Sequence, residues 1–169
     1  MRLFIDNWRW EGVPFYLRTG KKMEETTMEA VIEFKQPPRL LFTLAGTAKP
    51  LPNIVRFRLG ALDGVDITLQ AKRPGSALIT DPVDLTVEFA AALGQRKEAY
   101  ERLLDAALQG DHFRFTRIDA VLQSWQLLDP ILRSPTKLHP YFAHSWGPDE
   151  AIDLVPGGWN VVGKDVNKR

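Results

Sequence analysis

Residues 55–71, VRFRLGALDGVDITLQA, alternate apolar and polar side chains on both sides of a short turn. An alternation with a period of two is typical of a β-strand that has one apolar and one polar face. Asp63-Gly64 precedes the second half, and this dipeptide favours a tight hairpin turn. The stretch therefore predicts an antiparallel β-hairpin with its apolar side chains on one face.

Further strands are predicted on both sides of this hairpin. Residues 28–34 and 83–89 show the same alternation, and residues 40–44 form a shorter apolar candidate. Pro37-Pro38 ends the first of these strands, because proline has no amide hydrogen to donate to a neighbour. The short connections predict a large, mostly antiparallel sheet, and its apolar face needs a cover of helices.

The second half of the chain carries the helical patterns. Apolar residues recur every three or four positions over residues 99–108, and Gly110 is placed to end that helix. A second stripe covers residues 118–128, behind a Thr-x-x-Asp pattern at residues 116–119 that resembles a capping box. Pro130 is expected to close this second helix.

Composition limits the number of domains and the kinds of partner. The chain has 169 residues, of which 44% are hydrophobic and 25% charged, as is ordinary for one globular domain. Its formal net charge of +1 predicts no large basic surface for nucleic acid or an anionic membrane. It has no Cys, which excludes disulfides and is compatible with the cytoplasm, and no apolar run approaches the ~20 residues of a membrane span. We therefore interpret residues 1–169 as a single α+β domain with helices packed on one face of its sheet.

The best candidate for binding chemistry is the segment Arg-Thr-Gly-Lys-Lys at residues 18–22. Residues 13–18 are predicted to form a strand, Gly20 permits a turn with positive φ, and Lys21 projects just beyond it. An ammonium group at a fixed turn can hold a phosphate, and aromatic residues beside it suit an anionic, partly apolar ligand such as a sugar phosphate. A solvated hairpin end explains the same residues, and spacing alone does not separate the two interpretations.

Other candidate groups show weaker patterns. His112, His139 and His144 stand at no metal-ligand spacing, so each is expected to be structural or solvated, and no metal site is predicted. The sequence contains neither a Gly-x-Ser-x-Gly nor a Gly-x-Gly-x-x-Gly motif. Four cations line one face of the middle strands: Arg56, Arg58, Lys72 and Arg73. A second anion site is conceivable there, but a solvated face, or pairing with acids such as Asp66 and Asp84, is expected.

Four collinear stretches resemble the C-terminal domain of glucose-6-phosphate dehydrogenases of the bacterial type. Residues 6–21 read DNWRWEGVPFYLRTGK, and residues 100–111 contain YERLLDA followed by Gly-Asp. Residues 115–125 begin Phe-Thr-Arg and end in Trp, and residues 141–148 contain Tyr and then Ser-Trp-Gly-Pro. Four matches in one order are far more specific than any single motif.

The resemblance implies an α+β domain like the C-terminal domain of glyceraldehyde-3-phosphate dehydrogenases, with a sheet that forms a homodimer interface. It also implies a full-length oxidoreductase of the cytoplasmic pentose phosphate pathway. That enzyme transfers a hydride from C1 of glucose 6-phosphate to NADP and yields 6-phosphogluconolactone. In the family, an N-terminal Rossmann domain binds NADP, and the catalytic His lies in a motif that this sequence lacks. We therefore expect Met1 to mark the edge of a cut-out domain, and the chain to be inactive alone.

The resemblance assigns sugar-phosphate binding to Lys21, and assigns this chain no catalytic, cofactor-binding or metal-binding residue. Residues 117–119, Arg-Ile-Asp, copy the first letters of the family's catalytic motif, but Ala120 follows and a helix start explains them better. The second phosphate-binding cation common in the family, five positions after the first, is replaced by Thr26. No structural NADP is expected, because Trp146 replaces an Arg that the mammalian-type enzymes use.

Two other functions remain open from the sequence. Thr26 suggests a stand-alone, non-catalytic paralogue that dimerises or regulates a full-length enzyme. A nucleic-acid binder built on the aromatic and basic first segment is disfavoured by the balanced charge.

Overall fold

The computed structural model describes residues 1–36, 51–60, 62–76, 78–94, 98–134, 137–160 and 162. The chain divides into two compact units, a division that the sequence patterns do not indicate. The first unit comprises Met1–Gly94 with Tyr141–Arg169, and the second comprises Gln95–Pro140. The strand predicted at residues 40–44 lies outside the described residues.

The first unit contains the β-structure. Its described strands are β1 (Arg2–Phe4), β2 (Pro14–Tyr16), β3 (Met28–Glu33), β4 (Ile54–Leu59), β5 (Gly64–Lys72) and β6 (Thr80–Glu88). β1 and β2 form a two-stranded antiparallel ribbon, and the other four form a sheet in the order β3-β4-β5-β6. Every neighbouring pair in that sheet is antiparallel. The predicted α+β fold with an antiparallel sheet is therefore confirmed.

The described helices are fewer and mostly in the second unit. They are α1 (Phe89–Leu93), α2 (Ala99–Gln109) and α3 (Ile118–Arg133), with 3₁₀ helices at His112–Arg114 and Asp149–Leu154. Within the described ranges, none of them is both long enough and apolar enough to cross a membrane.

One face of the four-stranded sheet is apolar and open. The strand register aligns its side chains: Met28, Ala30, Ile32, Val55, Phe57, Leu59, Val65, Ile67, Leu69, Val83, Leu85 and Val87. The sequence predicts a cover of helices here, yet most of the large side chains are exposed, Leu85 to 51%. We call this set of residues the apolar face.

The opposite face is polar and contains the most enclosed side chains of the sheet. Arg56 is 6% exposed and Thr68 is 4% exposed. Arg56 forms an ion pair with Glu29, and the Thr68 hydroxyl donates to the Asp84 carboxylate at 2.6 Å. Burial of a polar group is tolerated when it is paired and hydrogen-bonded, so these partners allow the polar face to be enclosed.

The connection between β4 and β5 uses its glycines differently from the prediction. Gly60 has a φ of 133°, a conformation that residues with a Cβ rarely adopt. Gly64 is already part of β5, opposite Arg58, so Asp63-Gly64 is not the turn dipeptide. Gly64 is needed because a Cβ there would clash with the backbone carbonyl oxygen of Val87 on β6.

α2 ends as its sequence predicts. Gly110 occupies the C-cap in the left-handed conformation, with φ of 67° and ψ of 21°. Its amide donates to the carbonyls of Ala106 and Ala107, so the last turn keeps partners for its carbonyl groups.

α3 begins at Ile118, where the predicted stripe begins, but the capping box predicted there is wrong. Arg117 occupies the N-cap position and no side chain caps the helix, so residues 116–119 do not form a capping box. The Asp119 carboxylate accepts two hydrogen bonds from the Arg117 guanidinium, at 3.0 and 2.6 Å. The Asp119 carboxylate is thus engaged by a charge-assisted pair with Arg117 and does not reach back to cap the backbone.

The predicted end of α3 is also wrong. Pro130 lies inside the helix, which continues to Arg133. Proline removes only one amide donor, and the turn that contains it is supported by an ion pair between Arg133 and Asp129 at 2.8 Å.

Candidate functional site

The two-stranded ribbon leads directly into the candidate phosphate-binding turn. Leu3 of β1 stands opposite Phe15 of β2, and beyond the ribbon the Leu17 amide donates to the Met1 carbonyl at 2.8 Å. The strand predicted over residues 13–18 is confirmed for Pro14–Tyr16. The ribbon therefore fixes the chain immediately before Arg18.

The turn itself depends on Gly20 and Lys22. Gly20 does not have a positive φ, contrary to the prediction; Lys22 has one, at 52°. A Cβ on Gly20 would lie 2.6 Å from Met23 Sδ and 3.3 Å from Tyr141 Oη. A side chain at this position would therefore require Met23 or Tyr141 to shift, and glycine avoids that.

Residues 141–145, which we call the clamp segment, lie against the turn. Met23 and Ser145 form an isolated parallel β-bridge between the two segments. Three hydrogen bonds join them: the Tyr141 hydroxyl to the Lys21 carbonyl at 2.8 Å, the His144 amide to the Lys22 carbonyl at 2.8 Å, and the Glu24 amide to the Ser145 carbonyl at 3.1 Å.

The Arg18 guanidinium is held between two indole rings. It lies 4.5 Å from the ring centroid of Trp146 and 4.6 Å from that of Trp159. Trp159 is fixed in turn, since its Nε1 donates to the Ala151 carbonyl at 2.8 Å. Burial lowers the pKa of Arg18, and the negative charge of Glu29 partly offsets this. An arginine nevertheless remains charged at neutral pH, so the two rings enclose a permanent cation.

Lys21 is exposed at this turn, together with Lys22 and Thr26. The backbone around Lys21 is fixed while its side chain is open to solvent. This arrangement presents an ammonium group to an incoming anion as a point charge. The predicted site residue Lys21 is therefore accessible, and the hydroxyl of Tyr141 holds the backbone of the turn that carries it.

Three of the four cations of the middle strands pair with acids; the predicted partner Asp66 is confirmed, whereas Asp84 accepts a hydrogen bond from Thr68. Arg58 Nε lies 3.1 Å from Asp66 Oδ2, and Arg73 makes two hydrogen bonds of 2.7 Å to Asp81. The bond from Arg73 lowers the pKa of Asp81, and the same bond raises the pKa of Arg73. Lys72 donates to two backbone carbonyls. This pairing gives no support to a second anion site on these strands.

We assign none of the three histidine side chains to the Lys21 site. His112 begins a 3₁₀ helix, and His139 lies in a loop. His144 contributes its backbone amide to the clamp segment and has a φ of 62°. In the part of the chain that the structure describes, no three His, Asp or Glu side chains are placed to hold a metal ion.

Sequence reasoning missed the roles of Tyr141, Trp146 and Trp159. Each contacts residues 18–21 across a separation of 120 positions or more. No local periodicity reports such a contact. The family resemblance singled out residues 141–148, but it did not indicate that they contact the turn.

Comparison with known proteins identifies the family. Residues 1–158 match the family model described as "Glucose-6-phosphate dehydrogenase, C-terminal domain". The chain is 40% identical over 157 residues to glucose-6-phosphate 1-dehydrogenase of Rhizobium meliloti, covering 89% of this chain and 32% of that protein. The enzyme from Treponema pallidum is 35% identical over 165 residues, with 93% and 32% covered.

Solved structures agree with this match. The glucose-6-phosphate 1-dehydrogenase of Mycobacterium avium superposes with a TM-score of 0.79 at 36% identity, covering 95% of this chain and 34% of that one. A glucose-6-phosphate dehydrogenase in complex with its substrate glucose 6-phosphate superposes with a TM-score of 0.77 at 28% identity. The chain thus spans about a third of the length of its relatives. It belongs to the glucose-6-phosphate dehydrogenase family and corresponds to the C-terminal domain of those enzymes.

Proposed function

We propose that this chain is the substrate-binding and dimerisation domain of a glucose-6-phosphate 1-dehydrogenase. The whole protein would oxidise glucose 6-phosphate to 6-phosphogluconolactone with NADP, in the pentose phosphate pathway of the cytoplasm. Reduction of NADP requires the Rossmann domain and the catalytic His, which we assign to the other two thirds of such an enzyme. The chain alone is therefore inactive.

The observation that carries the proposal is the fixed turn that presents Lys21. Its backbone is held by three hydrogen bonds from the clamp segment, and its side chain is exposed. A charged donor on a fixed backbone binds an anion without first losing backbone entropy. We assign the phosphate group of the substrate to Lys21, with Lys22 as the nearest additional cation in the sequence.

We propose that this chain does not bind a structural NADP. Trp146 and Trp159 already contact the Arg18 guanidinium, and Arg58 is paired with the Asp66 carboxylate. These residues are engaged with one another and are not arranged to receive a dinucleotide phosphate.

We propose that the sheet forms the dimer interface through its apolar face. Soluble monomers rarely leave a contiguous apolar surface of this kind open. A second copy would cover it with the same set of side chains, as a two-fold axis requires.

Replacing Lys21 by Gln tests the substrate assignment. We expect the affinity for glucose 6-phosphate, measured by NMR titration of the 169-residue chain, to fall about tenfold or more, because a hydrogen bond to a charged group is lost. The matched control is Lys35→Gln, which removes another exposed lysine of the first unit. Equal binding by the two variants would contradict the assignment, whereas NADPH production by the chain alone would contradict its proposed inactivity.

A further inference from the structure

We propose that Tyr141 is a positioning residue for Lys21, and that it sets the geometry in which the phosphate monoester is bound. The inference rests on the proposed function, since it takes Lys21 as the phosphate ligand. It concerns a residue that touches the backbone of the turn and is not itself a ligand of the phosphate.

Tyr141 reaches the turn at two points. Its hydroxyl donates to the Lys21 carbonyl at 2.8 Å, across 120 positions of sequence. The same oxygen lies 3.3 Å from the place where a Cβ on Gly20 would stand. The phenol oxygen therefore contacts the backbone at Lys21, and it also borders the space beside Gly20 that a side chain would fill.

The turn and the clamp segment also share a strained backbone. Lys22 and His144 are the only non-glycine residues with positive φ in the described ranges, at 52° and 62°. They bond to each other, since the His144 amide donates to the Lys22 carbonyl at 2.8 Å. Such conformations persist only where the surrounding structure holds them, and they concentrate at functional sites. The Tyr141 hydroxyl adds a hydrogen bond to the carbonyl of Lys21, the residue just before Lys22.

The consequence for binding is preorganisation. When the Lys21 carbonyl is held, only the torsions of its side chain remain to be ordered by the anion. Without the phenol hydroxyl, the peptide that follows Lys21 can rotate, and part of the binding free energy is lost in fixing it again. Tyr141 therefore acts through Lys21 and has no effect of its own on the phosphate.

The test compares Tyr141→Phe with Tyr100→Phe in the 169-residue chain. Tyr100 is a matched control because it lies on α2 and is 81% exposed. Without ligand, Tyr141→Phe should speed hydrogen exchange at the Glu24 and His144 amides, the two backbone donors that join the turn to the clamp segment. With glucose 6-phosphate, it should weaken affinity about threefold to tenfold, as the loss of one hydrogen bond predicts.

A double-mutant cycle separates positioning from general structure. Adding Tyr141→Phe to Lys21→Gln should cause no further loss of affinity, because the hydroxyl acts only through the lysine. An additive loss, unchanged exchange at both amides, or unchanged affinity for glucose 6-phosphate would each overturn the inference. If the unaltered chain fails to bind glucose 6-phosphate, the proposed function falls with it. If Lys21→Gln weakens binding and Tyr141→Phe does not, only the positioning role falls.

Discussion

At the scale of a single residue, Arg18 is fixed mainly by ring faces. Trp146 and Trp159 contact its guanidinium from two directions, while Glu29 contributes a negative charge nearby. A planar guanidinium stacks on indole rings, whereas a lysine ammonium offers only a point charge. The identity of this cation therefore matters as much as its charge.

Replacing Arg18 by Lys should lower the free energy of unfolding by about 1–2 kcal/mol, because two ring contacts are weakened together. Urea unfolding followed by tryptophan fluorescence measures this. The control is Arg9→Lys, since Arg9 lies 5.4 Å from one ring, that of Trp8, which is 87% exposed. Equal effects of the two substitutions would show that the double contact contributes no more than an exposed one.

At the scale of elements, α3 shows that a proline can stay inside a helix. Pro130 lacks the amide that would donate to the carbonyl of Gln126, four positions earlier. The helix continues beyond it to Arg133. The folded chain therefore lacks one helical hydrogen bond at Pro130, and a substitution can restore the missing donor.

Replacing Pro130 by Ala should raise the stability of the second unit by about 1–3 kcal/mol, since it restores a helical donor and a good helix former. Thermal unfolding followed by far-ultraviolet circular dichroism measures the change. Pro148→Ala is the control, because Pro148 precedes a 3₁₀ helix and interrupts no helical hydrogen bond. An unchanged midpoint of thermal unfolding for Pro130→Ala would mean that the missing hydrogen bond at Pro130 does not limit the stability of the second unit.

Strands were predictable from the sequence because their signal is local. The alternation over residues 28–34 and 55–71 reports the two faces of β3, β4 and β5 directly. β1 escaped prediction because three residues are too few to show a period. The clamp segment escaped because its partners are distant in sequence, and the turn at Lys21 was found for its chemistry, with the wrong reason given for Gly20.

At the scale of the molecule, the proposed self-association depends on the apolar face. Its side chains are aligned across β3 to β6, and most are exposed. The polar face holds paired charges instead. Alternation predicts which residues share a face of the sheet. It does not predict which face is covered, because that depends on contacts with other segments of the protein.

Replacing Leu85 by Lys should weaken self-association at least about tenfold, because an unpaired charge would be buried between two copies. Sedimentation equilibrium measures the dissociation constant. Thr86→Lys is the control, since the next residue of β6 points to the opposite face and is also exposed. A dimer that survives Leu85→Lys but not Thr86→Lys would place the interface on the polar face.

The bond between the Tyr141 hydroxyl and the Lys21 carbonyl spans 120 positions. During translation, Lys21 is therefore synthesised 120 residues before Tyr141, whose hydroxyl holds its carbonyl. Until Tyr141 has been synthesised, the nascent chain lacks this bond, and nothing from residue 141 holds the carbonyl of Lys21.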